Sequence, residues 1–416
     1  MSVELNSGIF YLIRQEVNIL KYVLRSEVHI INRNHSLFNY CDDVCFKSKN
    51  LYNYVNYLMR KEFIGNGVLK TSAFDYNKLL KNEDVYKALP AKTSQQVIIK
   101  LNTNWQSFFK AIKDWNISPS KYTGMPKLPN YKEKNGRNIV MFDYQQGTFK
   151  NGRFKFPKTK LYIETNIPKD KFRQVQIVPY GSCYKVCIVY RKQIKVKEHG
   201  NLNYLSVDLG VDNLATLTNN IGQQPIVING KVIKSINQYY NKKLGRLRSY
   251  VGKVTSNRIQ KLNTKRNNKI DTHFHRISRF IVDYAKTLNI DNIVIGRNKD
   301  WQRSSNMNKK SNQKFVSIPF EKLINQIQYK AEELGINVII NEESYTSKAS
   351  FIDGDMMTKG TEFSGKRISR SLYRSKNRTI INADVNGSYN ILRKCNHQFS
   401  YEVVEGVSLH PIRLTV

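Results

Sequence analysis

The chain of 416 residues is short of acidic residues. It has 32 Asp and Glu against 68 Lys and Arg, which gives a formal net charge of +36. A surface this basic suits a polyanionic partner and argues against an enzyme of small-molecule metabolism. The hydrophobic content of 40% argues against a disordered chain, because enough apolar surface is available to form a sizeable core.

Long hydrophobic runs and paired cysteines are also missing. No stretch of 18 apolar residues occurs, and the first residues lack the basic-then-apolar order of a signal peptide, so we expect a cytoplasmic, nucleoid-associated protein without a membrane partner. The cysteines are Cys41, Cys45, Cys183, Cys187 and Cys395. They form no CxxC pair, which argues against a disulfide scaffold and a four-cysteine zinc site.

The first half of the chain predicts a helical module set into a β-rich one. Apolar residues recur at helical spacing from Ser36 to about Lys113. Short strand-like runs separated by turn residues fill 137–197, which favours a small barrel or sandwich. We therefore expect one β-barrel domain from residues 1–35 and 136–202, and a helical domain from 36–135.

Beyond about Leu202 the pattern changes to strands that alternate with helices. The predicted order is three strands, a helix, a strand, a helix, a strand, an insertion and a last helix from Asn382. Asn229-Gly230 lies between two apolar runs and predicts a hairpin turn. The whole order is that of ribonuclease H, a mixed sheet, so the predicted fold class is α+β with several domains.

Three groups of acids lie where these elements would bring them together. Asp208 lies at the carboxyl end of the strongest predicted strand, Glu342 and Glu343 follow the last strand, and Asp384 lies in the first turn of the last helix. A carboxylate in a buried strand is costly unless it binds something. Such a cluster suits phosphodiester hydrolysis with two Mg²⁺ ions roughly 4 Å apart, one activating water and one stabilising the leaving oxygen.

Several segments resemble the signature blocks of the TnpB family. They are 207–215 (Val-Asp-Leu-Gly-Val-Asp-Asn-Leu-Ala), 345–348 (Tyr-Thr-Ser-Lys) and 382–392, which contains Asn-Ala-Asp-Val-Asn-Gly. Upstream, 45–54 and 126–131 are similar too, so the resemblance spans most of the chain. TnpB proteins are RNA-guided DNA endonucleases that insertion sequences encode, with a split RuvC domain, and they resemble the ancestors of type V CRISPR effectors.

The resemblance implies a division of labour between domains. The barrel would be a wedge domain and the helical module a recognition domain, which together hold guide RNA from the transposon end and the target-adjacent duplex. Residues 203–346 and 379–395 would form the RuvC-like nuclease, with 396–416 as a tail. Target double-stranded DNA would be cut with Mg²⁺ or Mn²⁺ in a two-ion site, and Asp208 and Asp384 match the first and last catalytic acids.

The sequence departs from the family pattern in two places. The middle catalytic Glu normally ends the fourth strand, where this chain has Gly296. We expect Glu342 or Glu343 to supply that carboxylate and the metal ligand, because the fourth and fifth strands of such a sheet are neighbours. Residues 347–378 lack the CxxC pairs that many relatives use for zinc, so no zinc is expected there.

Two basic stretches lack acids, and both predict contacts with nucleic-acid phosphates. One is Asn241 to Lys269 and the other is Lys366 to Arg378, which we expect to guide single-stranded DNA. The candidate contact residues are Lys242, Lys243, Arg246, Arg248, Lys253, Arg258, Lys348, Lys366, Arg367, Arg370, Arg374 and Arg378.

Two other functions remain open from the sequence. Gly296 favours a nuclease-inactive protein that binds DNA under RNA guidance. A protein that rearranges DNA itself would have to join strands as well as cut them, and no tyrosine or serine nucleophile signature is evident.

Overall fold

The computed structural model describes residues 19–196, 202–252, 254–298 and 309–416. The chain divides into two compact units. Within the described residues, the N-terminal unit consists of 22–192 and 254–264, and the C-terminal unit consists of 19–21, 193–196, 202–252, 265–298 and 309–416. The predicted α+β multidomain class is confirmed, whereas the finer domain boundaries stay predictions.

Helices of the N-terminal unit cover the segment with helical periodicity. They are α1 (Phe38–Asn66), α2 (Ala73–Leu80), α3 (Asp84–Lys87) and α4 (Ala91–Ile117). Helix α1 ends at Gly67, whose positive φ of 69° supplies the left-handed C-cap. Ser72 and Asp75 form a capping box at the start of α2. The predicted helical region therefore consists of four separate helices, and the caps at Gly67 and Ser72 mark the break between the first two.

Strands of the N-terminal part form two sheets. They are β1 (Ile19–Ile31), β2 (Val140–Asp143), β3 (Thr148–Lys150), β4 (Arg153–Lys155), β5 (Tyr162–Glu164), β6 (Phe172–Tyr180) and β7 (Cys183–Val196). The first sheet has the order β1-β7-β6-β2, and the second has the order β3-β4-β5. The pairing confirms the short strands, and their closure into a barrel stays a prediction. The predicted strands before Ile19 lie outside the described residues.

The C-terminal unit contains most of the alternating strands and helices. Its strands are β8 (Tyr204–Leu209), β9 (Asn213–Asn219), β10 (Ile226–Asn229), β11 (Asn292–Gly296), β12 (Asn337–Asn341), β13 (Lys366–Arg367), β14 (Leu372–Arg374), β15 (Ile380–Asn382) and β16 (Ile412–Leu414). The helices are α5 (Lys231–Val251), α6 (Asn257–Thr287), α7 (Lys309–Val316), α8 (Phe320–Glu333) and α9 (Ala383–Cys395), of which α6 begins in the N-terminal unit.

A six-stranded mixed sheet positions the candidate acids. Its order is β12-β11-β8-β9-β10-β16. Strands β8, β9 and β10 are antiparallel, whereas β11 runs parallel to both β8 and β12. The carboxyl ends of β8, β11 and β12 therefore meet at one edge of the sheet. The predicted order of the main strands and helices is confirmed.

Helix α9 packs across this sheet through small polar side chains. The hydroxyls of Ser388 and Thr218 hydrogen-bond at 2.9 Å, and Ser388 Oγ also donates to the backbone oxygen of Thr216. Asn382 caps the helix by accepting from the backbone N–H groups of Asp384 and Val385. This cap fixes the start of α9 beside the sheet edge where the acids lie.

The predicted hairpin at Asn229-Gly230 is wrong. Asn229 ends β10, and Gly230 is the N-cap of α5. The φ of Gly230 is −93°, whereas the common Asn-Gly hairpin turn needs positive φ at both central residues. The backbone N–H of Gly230 donates to the Asp212 oxygen at 2.8 Å. This tertiary contact directs the chain into a helix.

Candidate carboxylate site

Asp208 lies next to last in β8, against helix α9. Its side chain is half-buried, and a Cβ atom built at Gly387 would lie 3.1 Å from Asp208 Oδ2. A side chain at position 387 would therefore make a tight contact with this carboxylate, and glycine lets α9 approach it without one. Burial, Glu343 and Asp384 raise the pKa of Asp208 well above its usual range, and Arg367 opposes them.

Glu343 occupies the space that Gly296 leaves open. A Cβ atom at Gly296 would lie 2.9 Å from Glu343 Oε2 and would also collide with Ile391 of α9. Burial raises the pKa of Glu343 to about 7, against the opposing effects of a hydrogen bond with Asn298 and the Lys394 charge. The backbone N–H of Glu343 donates to Asn298 Oδ1 at 3.1 Å, which helps to fix its position after β12.

Glu342 is placed differently from its neighbour. Its side chain is exposed, and its Oε1 atom accepts a hydrogen bond from Ser344 Oγ at 2.5 Å. The backbone oxygen of Glu342 accepts from Lys394 Nζ at 3.2 Å. Of the two adjacent acids, Glu343 is thus the one whose carboxylate lies beside the end of β11.

Both carboxylate oxygens of Asp384 have partners. Asn213 Nδ2 donates to Oδ2 at 2.6 Å, and Arg367 Nη2 lies 3.5 Å from Oδ1. Neither Asn213 nor Arg367 was expected in this role, although Asn213 lies within the 207–215 segment that carries the family resemblance. Sequence alone could not show that a residue after β8 would reach the first turn of α9.

The three acids offer the type of ligand that a magnesium site needs, but their side chains are not arranged around a common point for a metal ion. Asp208, Glu343 and Asp384 offer oxygen ligands, which Mg²⁺ prefers. Burial first, and then the charges of Glu343 and Asp384, raise the pKa of Asp208, and a bound cation would offset both effects. Across the described residues, no group of three or more His, Cys, Asp or Glu side chains is arranged to hold a metal ion. The residue types fit a metal, and Asp384 would have to exchange a partner to bind it.

The predicted nucleic-acid contacts lie mainly on exposed surface. The side chains of Lys242, Lys243, Arg246 and Arg248 on α5 are exposed, as are Arg258 on α6 and Lys348, Lys366, Arg367, Arg370 and Arg378 near the insertion. Arg374 is half-buried, and Lys253 lies outside the described residues. Arg367 and Arg370 differ from the rest because both contact acids, Arg367 at Asp384 and Arg370 at Asp212.

Comparisons with known proteins show which families and folds this chain resembles. Residues 186–302 match the family model OrfB_IS605, described as a probable transposase, and residues 320–391 match the Cas12f1-like TNB domain. A curated relative is the CRISPR-associated endodeoxyribonuclease Cas12f2 of Micrarchaeota archaeon (strain CG1_02_47_40), 31% identical over 316 residues. The alignment covers 71% of this chain and 53% of the relative, so the chain spans about half the length of that relative.

The resemblance to the TnpB family is confirmed. A solved structure, the cryo-EM structure of a Cas12f1-sgRNA-target DNA complex, shares the fold of this TnpB-like chain with a TM-score of 0.51. The identity is 13%, over 85% of this chain and 82% of the other. None of the described helices of the TnpB-like chain is long and apolar enough to cross a membrane.

Proposed function

We propose that this protein is an RNA-guided DNA endonuclease that cuts guide-complementary DNA beside a short duplex motif. The observation that carries the proposal is the position of the Glu343 carboxylate, 2.9 Å from where a Cβ of Gly296 would lie. That carboxylate replaces the one that TnpB relatives normally carry at the end of this strand. Asp208, Glu343 and Asp384 then form the complete set of acids for a RuvC-like active site.

Each acid has a distinct task in this proposal. Asp208 in β8 beside Gly387, Glu343 after β12 and Asp384 in the first turn of α9 would hold the metal. Mg²⁺, or Mn²⁺, would supply water activation and charge neutralisation when bound. Glu343 must be ionised to serve as a ligand, so its pKa of about 7 makes metal binding dependent on pH near neutrality.

The domain roles follow the same proposal. The N-terminal helices and sheets would form the recognition and wedge domains that hold guide RNA, and the six-stranded sheet with α9 would form the nuclease. The exposed cations of α5 would grip the guide–target heteroduplex through its backbone. The Cas12f1 complex that shares the fold contains sgRNA and target DNA, as its name states, which supports RNA and DNA as partners.

A nuclease-inactive, RNA-guided DNA-binding protein is the second candidate. The observation that favours it is that no group of metal-binding side chains is preassembled within the described residues. A third possibility, strand joining, follows from the family description as a probable transposase. The three candidates differ in what they do to the same target DNA, which would be cut, bound without cleavage, or joined to another strand.

One assay separates these functions. The protein is expressed with its flanking transposon-end RNA, and the recovered complex is incubated with a target plasmid of randomised flank, with and without Mg²⁺. Cleavage that needs guide, flank and metal supports the nuclease, tight binding without cleavage supports the inactive protein, and joined products support the transposase.

Two adjacent substitutions then test the identity of the third carboxylate. We expect Glu343→Gln to lower guided cleavage at least 100-fold, because it removes a charged metal ligand, as losing such a group from a catalytic centre typically does. Glu342→Gln is the matched control and should keep cleavage within about threefold, since its side chain is exposed and bonded to Ser344. Equal cleavage by the two variants would contradict the assignment of Glu343.

A further inference from the structure

An arginine side chain pairs with one of the acids of the carboxylate site, where a bound metal ion would otherwise supply the positive charge. Arg367 Nη2 lies 3.5 Å from Asp384 Oδ1. The same guanidinium donates hydrogen bonds to the backbone oxygens of Ser369 and Arg370, so the turn between β13 and β14 holds it in place. Asn213 occupies the other oxygen of Asp384 at 2.6 Å. A metal ion would therefore have to compete for a ligand that already has two partners.

A second arginine from the same turn also contacts an acid. Arg370 forms an ion pair with Asp212, which pairs with Lys234 of α5 as well. Asp212 directly precedes Asn213, which hydrogen-bonds to Asp384. The acid that Arg370 contacts is thus next in the chain to a residue that binds the acid contacted by Arg367. The side chain of Arg370 is 78% exposed, and exposed ion pairs of this kind are weak and readily exchanged.

Phosphate is the natural competitor for these contacts. A guanidinium binds carboxylate and phosphate oxygens with the same forked geometry. The segment from Lys366 to Arg378 has six cations and no acid, so a nucleic-acid strand lying along it would bring phosphates to both arginines. Transfer of Arg367 to a phosphate would free Asp384 Oδ1 and move a cation away from Asp384 and Asp208.

We propose that Arg367, assisted by Arg370, prevents divalent cations from binding at the carboxylate site. This block ends when a nucleic-acid phosphate draws Arg367 away from Asp384. Metal binding and nucleic-acid binding are then positively coupled through one side chain. The inference rests on the proposed nuclease function and adds a control on when its site is assembled.

The test measures Mn²⁺ binding by electron paramagnetic resonance of the full-length protein, with and without a phosphorothioate single-stranded DNA. Without DNA, Arg367→Gln should bind Mn²⁺ about tenfold more tightly than the wild type, a usual size for coupling between sites. Arg370→Gln should show a smaller change in the same direction. DNA should tighten Mn²⁺ binding to the wild type and add little in Arg367→Gln.

Two further variants make the result decisive. Arg413→Gln removes one exposed cation from β16, at the far edge of the same sheet, and should leave Mn²⁺ affinity unchanged. Asp208→Asn removes one of the proposed ligands, so the Mn²⁺ that binds to the wild type and not to this variant is the Mn²⁺ at the carboxylate site. Absence of any Asp208-dependent Mn²⁺ overturns the nuclease proposal itself. Asp208-dependent binding that Arg367→Gln and Arg413→Gln alter equally, or that neither alters, overturns only the role of Arg367.

Discussion

At the residue scale, the absence of a side chain at Gly296 is what lets Glu343 enter the site. Strand β11 is buried along its whole length, and its last residue faces both Glu343 and Ile391 of α9. A larger residue at position 296 would collide with the Glu343 carboxylate and with Ile391, so one or both side chains would have to move. Gly296 thus leaves room for Glu343, which we propose as the replacement for the usual family carboxylate.

Substitution of Gly296 by Ala should disturb the site and the fold together. The added Cβ would lie 2.9 Å from Glu343 Oε2, closer than ordinary contacts, so we expect unfolding free energy to fall by about 1–3 kcal/mol. Urea unfolding measures this loss, and Asp208-dependent Mn²⁺ affinity should fall with it.

Gly245→Ala is the matched control for this substitution. Gly245 lies within α5 with nothing within 4 Å of its added Cβ, so alanine should stabilise the protein by about 0.5–1 kcal/mol. A Gly296→Ala protein as stable as the wild type, with unchanged Mn²⁺ affinity, would show that Glu343 does not depend on this space.

The sequence could predict some site residues and not others for a physical reason. Asp208 and Asp384 lie on regular elements, where strand period and helix capping determine which way a side chain points. Glu342 and Glu343 follow the end of β12, where the alternation of a strand no longer applies. Tyr345, two residues later, has a positive φ of 66°, and this local turn could not be read from the sequence.

At the scale of elements, the carboxylates of Asp353 and Asp355 join parts of the insertion in which many TnpB relatives carry zinc ligands. Asp355 is 8% exposed, and its Oδ2 accepts from the backbone N–H groups of Ser350 and Ser364. Asp353 Oδ2 accepts from Ser350 Oγ and from the backbone N–H of Lys376. These bonds join chain segments that a metal ion would otherwise hold together.

Removal of the Asp355 carboxylate should loosen the insertion without any metal being involved. Asp355→Ala leaves two backbone N–H groups without their acceptor, which should cost about 1–3 kcal/mol. Hydrogen exchange of residues 348–378 should accelerate, while a zinc chelator should leave exchange in the wild type unchanged.

Glu362→Ala removes an exposed acid from the same segment and serves as the control for Asp355→Ala. Its exchange rates should match those of the wild type. If the chelator accelerates exchange in the wild type, or if Asp355→Ala exchanges as slowly as Glu362→Ala, the carboxylates are not what holds the insertion.

Local sequence signals failed where tertiary contacts decided the conformation. Asn229-Gly230 has the composition of a hairpin turn, yet the bond from the Gly230 N–H to Asp212 and the close approach of Val211 make it a helix start. The main strands and helices were predictable because their apolar periodicity reflects a buried face. Of the sheet order, only the pairing of the fourth and fifth strands was predictable, through the similarity to ribonuclease H, and β11 does pair with β12.

At the scale of the whole molecule, the net charge of +36 should make nucleic-acid binding strongly dependent on salt. Helix α5 presents Lys242, Lys243, Arg246 and Arg248 on exposed surface. Helix α5 contains no acidic residue, so no side chain of the helix itself neutralises these cations.

Replacing these four cations of α5 by Gln should weaken guide–target binding and flatten its salt dependence. If each contacts one phosphate, the slope of log K against log salt concentration should become less steep by about 3, at roughly 0.7–0.9 per contact. Filter binding at KCl concentrations between about 50 and 300 mM measures the slope. A variant with Lys and Arg exchanged at the same four positions keeps the charge and should keep the wild-type slope. An unchanged slope in the Gln variant would place the phosphate contacts elsewhere on the basic surface.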